Sequence, residues 1–344
     1  MIENLDDRKI ELKKLFQGLN KGFTDSVSLP GTEEKEIERF TTGCETLNRV
    51  LGGGWPRGRI IEMYGPPSAG KTSLAILAGA EIQKSGGLVA YIDTDHALDS
   101  VWCSLLGLKL KDTIFSQPDS GEQAIDIIAD IVESSKVELI IVDSVASLSP
   151  IVEIQASTES NQMGLQARML SKALRRLTVP ANKAKCTILF LNQLRANLGS
   201  YGSPEVTPGG SGLKFAASIR LEVRRIKELF NEKDLVIGHT IKVKTVKNKT
   251  APPFAVDEFN FFCGNGEDKL MGVDYIGDLV DTARKLEIIN QGGAWFMYGT
   301  DKFQGKVKTV DWFRESPARI EELRQKVNSN VKLTFEFPDV VTEY

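Results

Sequence analysis

The segment Gly65-Pro66-Pro67-Ser68-Ala69-Gly70-Lys71-Thr72 fits the pattern G-x-x-x-x-G-K-[ST] and constrains this chain more than any other stretch. It follows an apolar run of strand length, Arg59 to Tyr64, and precedes a helical stretch, Ser73 to Ile82. Strand, glycine-rich turn and helix in that order leave backbone N–H groups at a helix N-terminus, where phosphate oxygens bind. Gly65, Pro66, Pro67, Ser68, Ala69, Gly70, Lys71, Thr72 and Ser73 are therefore the candidate ATP-binding residues. In such a loop Lys71 neutralises the β and γ phosphates and the Thr72 hydroxyl ligates Mg²⁺, so ATP and Mg²⁺ are the expected cofactors.

From about Ile37 to Phe262 the chain alternates strand-length apolar runs with helical stretches. Ile60 to Tyr64, Leu88 to Asp93, Leu139 to Asp143 and Thr187 to Asn192 are the strand candidates, and the alternation predicts a mostly parallel sheet with helices on both faces. Ile219 to Arg225 and Thr240 to Lys247 alternate apolar and basic residues and suit strands with one solvated face. Before this region, residues 1–34 read as a charged helical arm with an apolar stripe at Ile10, Leu12, Leu15, Phe16 and Leu19. One short helix makes no core, so it must pack on the main body or on another subunit. After it, residues 267–344 form a small α/β domain, with helices at Gly277 to Leu286 and Glu321 to Val327 around the aromatic-rich Trp295 to Phe303. The ATPase core is assigned to residues 35–266.

Two carboxylates are expected at the strand edge that carries the phosphate loop. Val137 to Asp143 is an apolar strand ending in an acid, and Asp143 would hold the metal's water shell beside Thr72. Leu88 to Asp93 runs on into Thr94-Asp95-His96, where Asp95 either orients and deprotonates an attacking water or caps a helix start. Composition limits the rest. With 41% hydrophobic and 26% charged residues the chain is an ordinary globular protein. Its apolar runs fall far short of the roughly 20 residues that span a bilayer. The charged N-terminus carries no secretory signal, so a cytoplasmic location is expected. Cys44, Cys103, Cys186 and Cys263 form no C-x-x-C pair, and with only two histidines no zinc-site spacing exists; reduced, mostly buried thiols are expected. A net charge of −3 gives no general pull on nucleic acid, so any such contact needs local basic patches.

Taken together, GPPSAGKT, YIDTDHALD, SQPDSGEQA, LIIVDSVASLSP, MGLQARMLSKALR, LFLNQLR, GGSGLKFAASIRLEVRR and TVKNKTAPPF resemble the bacterial and phage RecA family, in the family's order and near its spacing over roughly residues 35 to 330. The resemblance implies a RecA-type P-loop ATPase core with an N-terminal helical arm and a small C-terminal α/β domain. It implies self-association into a helical filament on single-stranded DNA and pairing with homologous double-stranded DNA. DNA-stimulated ATP hydrolysis would accompany strand exchange in DNA recombination and repair, and the family is associated with the SOS response. By the same resemblance Asp99 and Trp102 are adenine-side contacts and Gln193 is a γ-phosphate sensor coupled to the loop that follows it. Lys247 and Lys249 correspond to a pair that reaches the ATP of the adjacent subunit, whereas on the residues alone they suit a solvated strand face.

The DNA-facing elements are expected in two places. Met163 to Val179 puts Arg168, Lys172, Arg175 and Arg176 on one side of a helix and Leu170, Leu174 and Leu177 on the other. By resemblance Met163, Gly164, Arg168, Ser171, Lys172 and Arg175 meet DNA phosphates. Arg195 to Ser211, too rich in Gly, Ser and Pro for regular structure, resembles a second DNA loop, with Arg195, Asn197, Leu198, Gly209, Gly210 and Ser211 as contacts. The chain departs from the family pattern in three ways. Asp95 stands where Glu is usual, Ala156 to Asn161 lacks the first loop's glycines, and the second loop is one residue shorter, leaving Tyr201 without a clear register. A carboxylate withdrawn by one C–C bond, about 1.5 Å, predicts slow turnover. The competing functions are a nucleotide-gated protein that coats single strands with little hydrolysis, and a ring helicase on the same core.

Overall fold

The computed structural model describes residues 10–15, 17–18, 37–156, 164–196, 205–264 and 271–335. The chain divides into two compact units, Met1–Glu38 and Arg39–Tyr344. In the first, residues 10–15 and 17–18 are helical, and Ile10, Leu12 and Leu15 are exposed. Phe16, Leu19 and most of the expected arm lie outside the described residues.

The second unit is built on a nine-stranded sheet. Its strands are β1 (Ile60–Gly65), β2 (Val89–Asp93), β3 (Thr113–Ser116), β4 (Leu139–Asp143), β5 (Thr187–Gln193), β6 (Ile219–Phe230), β7 (Val236–Asn248), β8 (Val256–Cys263) and β9 (Met271–Val273), in the order β9-β8-β7-β6-β1-β5-β4-β2-β3. From β6 through β3 every neighbouring pair is parallel, while β7, β8 and β9 extend the other side antiparallel. Strands β1, β2, β4 and β5 are buried at nearly every position because both faces are covered, whereas the edge strand β3 and the far half of β6 are exposed. Ile61, Met63, Tyr91, Ile141 and Leu191 face one core cluster, shared with Leu74, Ala75 and Ala78. Ile60, Ile92, Ile140, Val142 and Phe190 face the other, shared with Ile128, Leu170, Leu174 and Leu177. Strand side chains alternate faces, so one strand feeds two cores. Truncating a fully buried member such as Ile141 to Ala costs about 2–5 kcal/mol.

The helices in chain order are α1 (Glu45–Leu51), α2 (Lys71–Lys84), α3 (Ser100–Leu105), α4 (Gly121–Glu133), α5 (Ile151–Gln155), α6 (Leu165–Lys183), α7 (Gly210–Ala216), α8 (Tyr275–Lys285), α9 (Lys306–Arg314) and α10 (Pro317–Phe335). Helix α4 starts where Ser120 Oγ accepts from the Gln123 N–H at 3.2 Å while the Gln123 side chain accepts from the Asp119 N–H at 2.7 Å, a reciprocal cap. A third core, formed by Leu279, Val280, Phe296, Phe313, Leu323 and Val327, holds α8, α9 and α10 around a small antiparallel sheet of Asn290–Gly292, Trp295–Tyr298 and Asp301–Gln304. Parallel strands bring their C-terminal ends to one edge, the side on which open α/β sheets bind ligands. Gly65 is level with Gln193 there, and Asp93 with Asp143.

Candidate nucleotide site and nucleic-acid interface

The phosphate loop leaves β1 at Gly65, where a Cβ would lie 2.0 Å from the Val223 carbonyl oxygen of β6. Only glycine fits that approach. Helix α2 then begins at Lys71 after Gly70, so its first-turn N–H groups face the loop. The Lys71 ammonium donates to the Gly65 and Pro66 carbonyls at 3.1 and 2.8 Å. Burial pushes Lys71 below its ordinary range, against the pull of Asp143 and Asp95. A phosphate would relieve that burial cost directly.

Asp143, at the end of β4, accepts from the Thr72 hydroxyl at 2.8 Å and the Tyr91 hydroxyl at 2.9 Å, both on one carboxylate oxygen. Burial raises its pKa, the two hydroxyls oppose the rise, and the fields of Asp95 and Asp93 add to it. Tyr91 is raised as well, by burial and by Asp143. A desolvated carboxylate beside a threonine hydroxyl, with no salt bridge to it among the described residues, is a hard-oxygen pair suited to a divalent cation that takes its remaining ligands from phosphate and water. No cluster of three His, Cys, Asp or Glu side chains that could hold a metal exists among the described residues. The residues present fit Mg²⁺.

Asp95 lies beyond β2 on the same edge and is exposed. Its backbone N–H and that of Thr94 donate to the Asp143 carbonyl at 3.3 and 2.8 Å. Its Oδ1 accepts the Ser147 hydroxyl and, at 3.3 Å, the Ser144 hydroxyl. No helix starts at Asp95; the helix-start cap is Asp99, whose carboxylate accepts from the Val101 and Trp102 N–H groups of α3 at 2.8 and 3.2 Å. Trp102 donates its indole N–H to Ser73 Oγ at 3.1 Å, which fixes the ring against the first turn of α2. Gln193 ends β5 beside Gly65, and the Leu194 N–H donates to the Gly65 carbonyl at 3.3 Å.

Lys247 and Lys249 occupy the other end of the sheet. Lys247 is level with Arg220, and Arg220 with Glu62; the Lys249 N–H donates to the Ser218 carbonyl, while the Ser218 N–H donates to the Ile60 carbonyl. At about 3.3 Å per residue those levels fall about 10 and 16 Å back from Gly65. The Lys247 ammonium donates to the Lys214 and Phe215 carbonyls, both at 2.8 Å, and its pKa is lowered by burial and by the neighbouring Lys249 and Arg220 charges. Within this chain the two lysines and the phosphate loop do not meet.

On α6, Arg168, Lys172, Arg175 and Arg176 are exposed, and Leu170, Leu174 and Leu177 are buried, as the periodicity predicts. Arg176 pairs with Asp126 at 2.6 Å. Gly164 is the residue before the helix, in a left-handed conformation at φ 80°. One expectation is corrected. Arg195 to Ser211 is not devoid of regular structure: Arg195–Ala196 pairs antiparallel with Glu205–Val206, and α7 begins at Gly210. Composition signalled a loop, yet short strand pairing needs only backbone. Gly209, at φ 86°, closely approaches α6, since a Cβ there would lie 2.8 Å from Leu170. Ser171 is half-buried against α7, and Gly210 and Ser211 are exposed. Met163, Asn197, Leu198, Tyr201 and residues 157–161 lie outside the described residues.

Sequence reasoning missed a buried network. Glu62 on β1 is fully buried, accepts from Arg220 Nε at 2.5 Å and accepts from Asn192 Nδ2 at 2.9 Å. Asn192 also donates to the Pro208 carbonyl at 3.1 Å and accepts from the Gln193 N–H at 2.9 Å. The signal was present as charged and amide residues inside otherwise apolar strands. Tyr91 was missed for the opposite reason, because an aromatic suits a buried strand without its hydroxyl.

The family model for the RecA N-terminal domain matches residues 10–268, and that for the RecA C-terminal domain matches residues 277–332. Protein RecA of Arthrospira platensis is 42% identical over 331 residues, covering 95% of this chain and 88% of that protein. Protein RecA of Mycoplasma mycoides is 42% identical over 342 residues, covering 96% and 97%. A crystal structure of the RadB recombinase shares the fold, with a TM-score of 0.50 and 24% identity over 64% of this chain and 96% of that one.

Proposed function

Since the chain belongs to the RecA family, and is accordingly a recombinase and DNA-dependent ATPase that binds ATP, we propose that it hydrolyses ATP at sites shared between neighbouring subunits of a filament on single-stranded DNA. The observation that carries this reading is the separation of Lys247 and Lys249 from the phosphate loop of their own chain. Cations built at the wrong end of a sheet for their own nucleotide are suited to a neighbour's.

Residues 65–73 cradle the triphosphate, with Lys71 leaving its carbonyl partners for the β and γ phosphates. Trp102, held against Ser73, and Asp99 are assigned to the adenine side by the family resemblance. Thr72 and Asp143 would hold Mg²⁺, Asp143 partly through water, and the ion when bound would supply neutralisation of phosphate charge. Asp95 orients the attacking water. As the water oxygen bonds to the γ-phosphorus, the bond to the bridging oxygen breaks, its electron pair leaves with ADP, and the water proton passes to the Asp95 carboxylate. Lys247 and Lys249 of one subunit stabilise the transferring charge in the next, so hydrolysis follows assembly. Gln193, beside Gly65, reads the γ-phosphate and passes its presence to the second loop.

DNA phosphates are met by Gly164, Arg168, Ser171, Lys172, Arg175 and Arg195 and by the backbone at Gly209 to Ser211, with Met163, Asn197 and Leu198 assigned by family resemblance alone. Such contacts bind any sequence and weaken with salt. Residues 35–266 are assigned to the ATPase core, 267–344 to the C-terminal domain, and 1–34 to the arm that docks on a neighbour. Mg²⁺, homologous double-stranded DNA and the cytoplasm belong to the same proposal. Among the described residues no helix is long and apolar enough to cross a membrane.

The test is homologous strand exchange with ATP turnover measured in the same reaction. Exchange that requires ATP and a homologous duplex is expected. Single-strand coating without exchange, with ATP or with a non-hydrolysable analogue, would replace this reading by a coating protein; closed rings on electron micrographs would replace it by a helicase.

A further inference from the structure

We infer that Ser147 is a positioning residue for ATP hydrolysis, holding Asp95 so that a single carboxylate oxygen faces the attacking water; this rests on the reading of Asp95 given above. An Asp carboxylate has a broad, roughly two-fold torsion about its last bond, so a free Asp95 would present either oxygen in many directions. The Ser147 hydroxyl donates to Oδ1 from the short helical turn Val145–Ser147. The Ser144 hydroxyl adds a second donor to the same oxygen at 3.3 Å. Among the described residues no hydrogen bond goes to Oδ2, which leaves it as the oxygen open to a water.

The frame behind these hydroxyls is rigid. The turn follows Asp143 directly, and Gln166 of α6 donates to the Val145 carbonyl at 2.9 Å and to the Leu148 carbonyl at 3.2 Å. Thr94 Oγ1 donates to the Ser144 carbonyl at 2.8 Å, and the Asp95 N–H donates to the Asp143 carbonyl at 3.3 Å, so the turn and Asp95 are tied on both sides. A carboxylate shorter by one methylene cannot reach by bending its own chain. Orientation fixed from outside is what remains, and Ser147 supplies it.

The experiment measures steady-state ATP turnover at saturating single-stranded DNA for the full chain and for Ser147→Ala, Ser147→Thr, Asp95→Asn and the double variant Asp95→Asn/Ser147→Ala. A misdirected base of this kind lowers kcat by about tenfold, between no effect and the roughly hundredfold cost of a 1 Å misplacement. The expected result is that fall for Ser147→Ala with KM for ATP unchanged, recovery of most of kcat in Ser147→Thr, and a double variant no slower than Asp95→Asn. Wild-type kcat in Ser147→Ala, beside a strong loss in Asp95→Asn, overturns the inference and leaves the role of Asp95 standing. A change in KM together with kcat, or no recovery with Thr, also overturns it, because either marks a role in folding or nucleotide binding. Full turnover in Asp95→Asn removes the role of Asp95 itself.

Discussion

Two half-buried carboxylates in this molecule are handled in opposite ways. Asp143, at the phosphate-loop edge, has two hydroxyls against it and a pKa raised chiefly by burial. Asp257, on β8, also pays for burial, yet Lys285 of α8, the Glu258 N–H and Arg49 of α1 hold its pKa below the usual range. The paired one ties α8, and so the C-terminal helices, to α1 of the core; nearby the Asp278 carboxylate accepts from the Glu45 N–H at 2.6 Å at the start of α1. The other has no salt bridge among the described residues and feels the Lys71 charge at longer range. Where a charge serves the fold, the chain supplies both partners; where it is proposed to serve a ligand, the partner is left to arrive.

Lys247 and Lys249 are the converse case, cations set away from the site they are proposed to serve. Replacing both with Ala should lower DNA-stimulated turnover by about a thousandfold, the lower range for a transition-state cation supplied in trans. Mixing that variant with Lys71→Ala subunits should restore part of the turnover, since one interface then pairs an intact loop with intact lysines. No recovery on mixing would mean that the lysines act within their own chain.

Asp143→Asn should lower turnover by at least about a hundredfold, the loss of several kcal/mol of metal-assisted stabilisation. The nucleotide-free variant should nevertheless melt higher than the wild type at neutral pH. A carboxylate whose folded pKa is raised costs stability when charged, and that cost disappears as pH falls through the folded pKa. Melting curves of both proteins across pH should therefore converge in acid. A lower melting temperature for the variant at neutral pH would show that Asp143 is not under strain.

Asp257→Asn should do the reverse, leaving turnover near wild type while destabilising the chain by about 1–3 kcal/mol, because one of Arg49 and Lys285 loses its acceptor oxygen and both lose the counter-charge. Its folded pKa is depressed, so the stability it contributes is present above about pH 4, the unfolded value, and is lost as pH falls through the folded one. Denaturant melts at pH 7 and pH 3 check the sign. The smallest effect is expected on α6: Arg175→Ala should reduce the slope of log affinity against log salt for single-stranded DNA by about 0.7, one phosphate contact.

Much of this was legible in the one-dimensional pattern. The phosphate loop, the strands that end at Asp93, at Asp143 and just past Asn192, and the basic side of α6 all follow from local spacing, since strand and helix periods place side chains without help from distant chain. Ser147, Tyr91 and the Glu62–Asn192–Arg220 network were not legible. Each is an ordinary residue whose meaning comes from a partner 52 residues away for Ser147 and Asp95, or 158 away for Arg220 and Glu62. The pairing of Arg195–Ala196 with Glu205–Val206 was hidden because backbone hydrogen bonds ask little of side-chain type.

By itself, then, the sequence determined that the chain has a loop of the phosphate-binding pattern between a strand and a helix, an acid at a neighbouring strand end, and a resemblance strong enough to name a family. Only the tertiary structure decided which hydroxyls touch Asp95 and Asp143, which carboxylate the cations meet, and that Lys247 and Lys249 stand at the far end of the sheet from Gly65. The physical reason is reach: periodicity sets the face a residue occupies within a few residues of itself, whereas register between strands distant in sequence sets the end of the sheet at which it arrives.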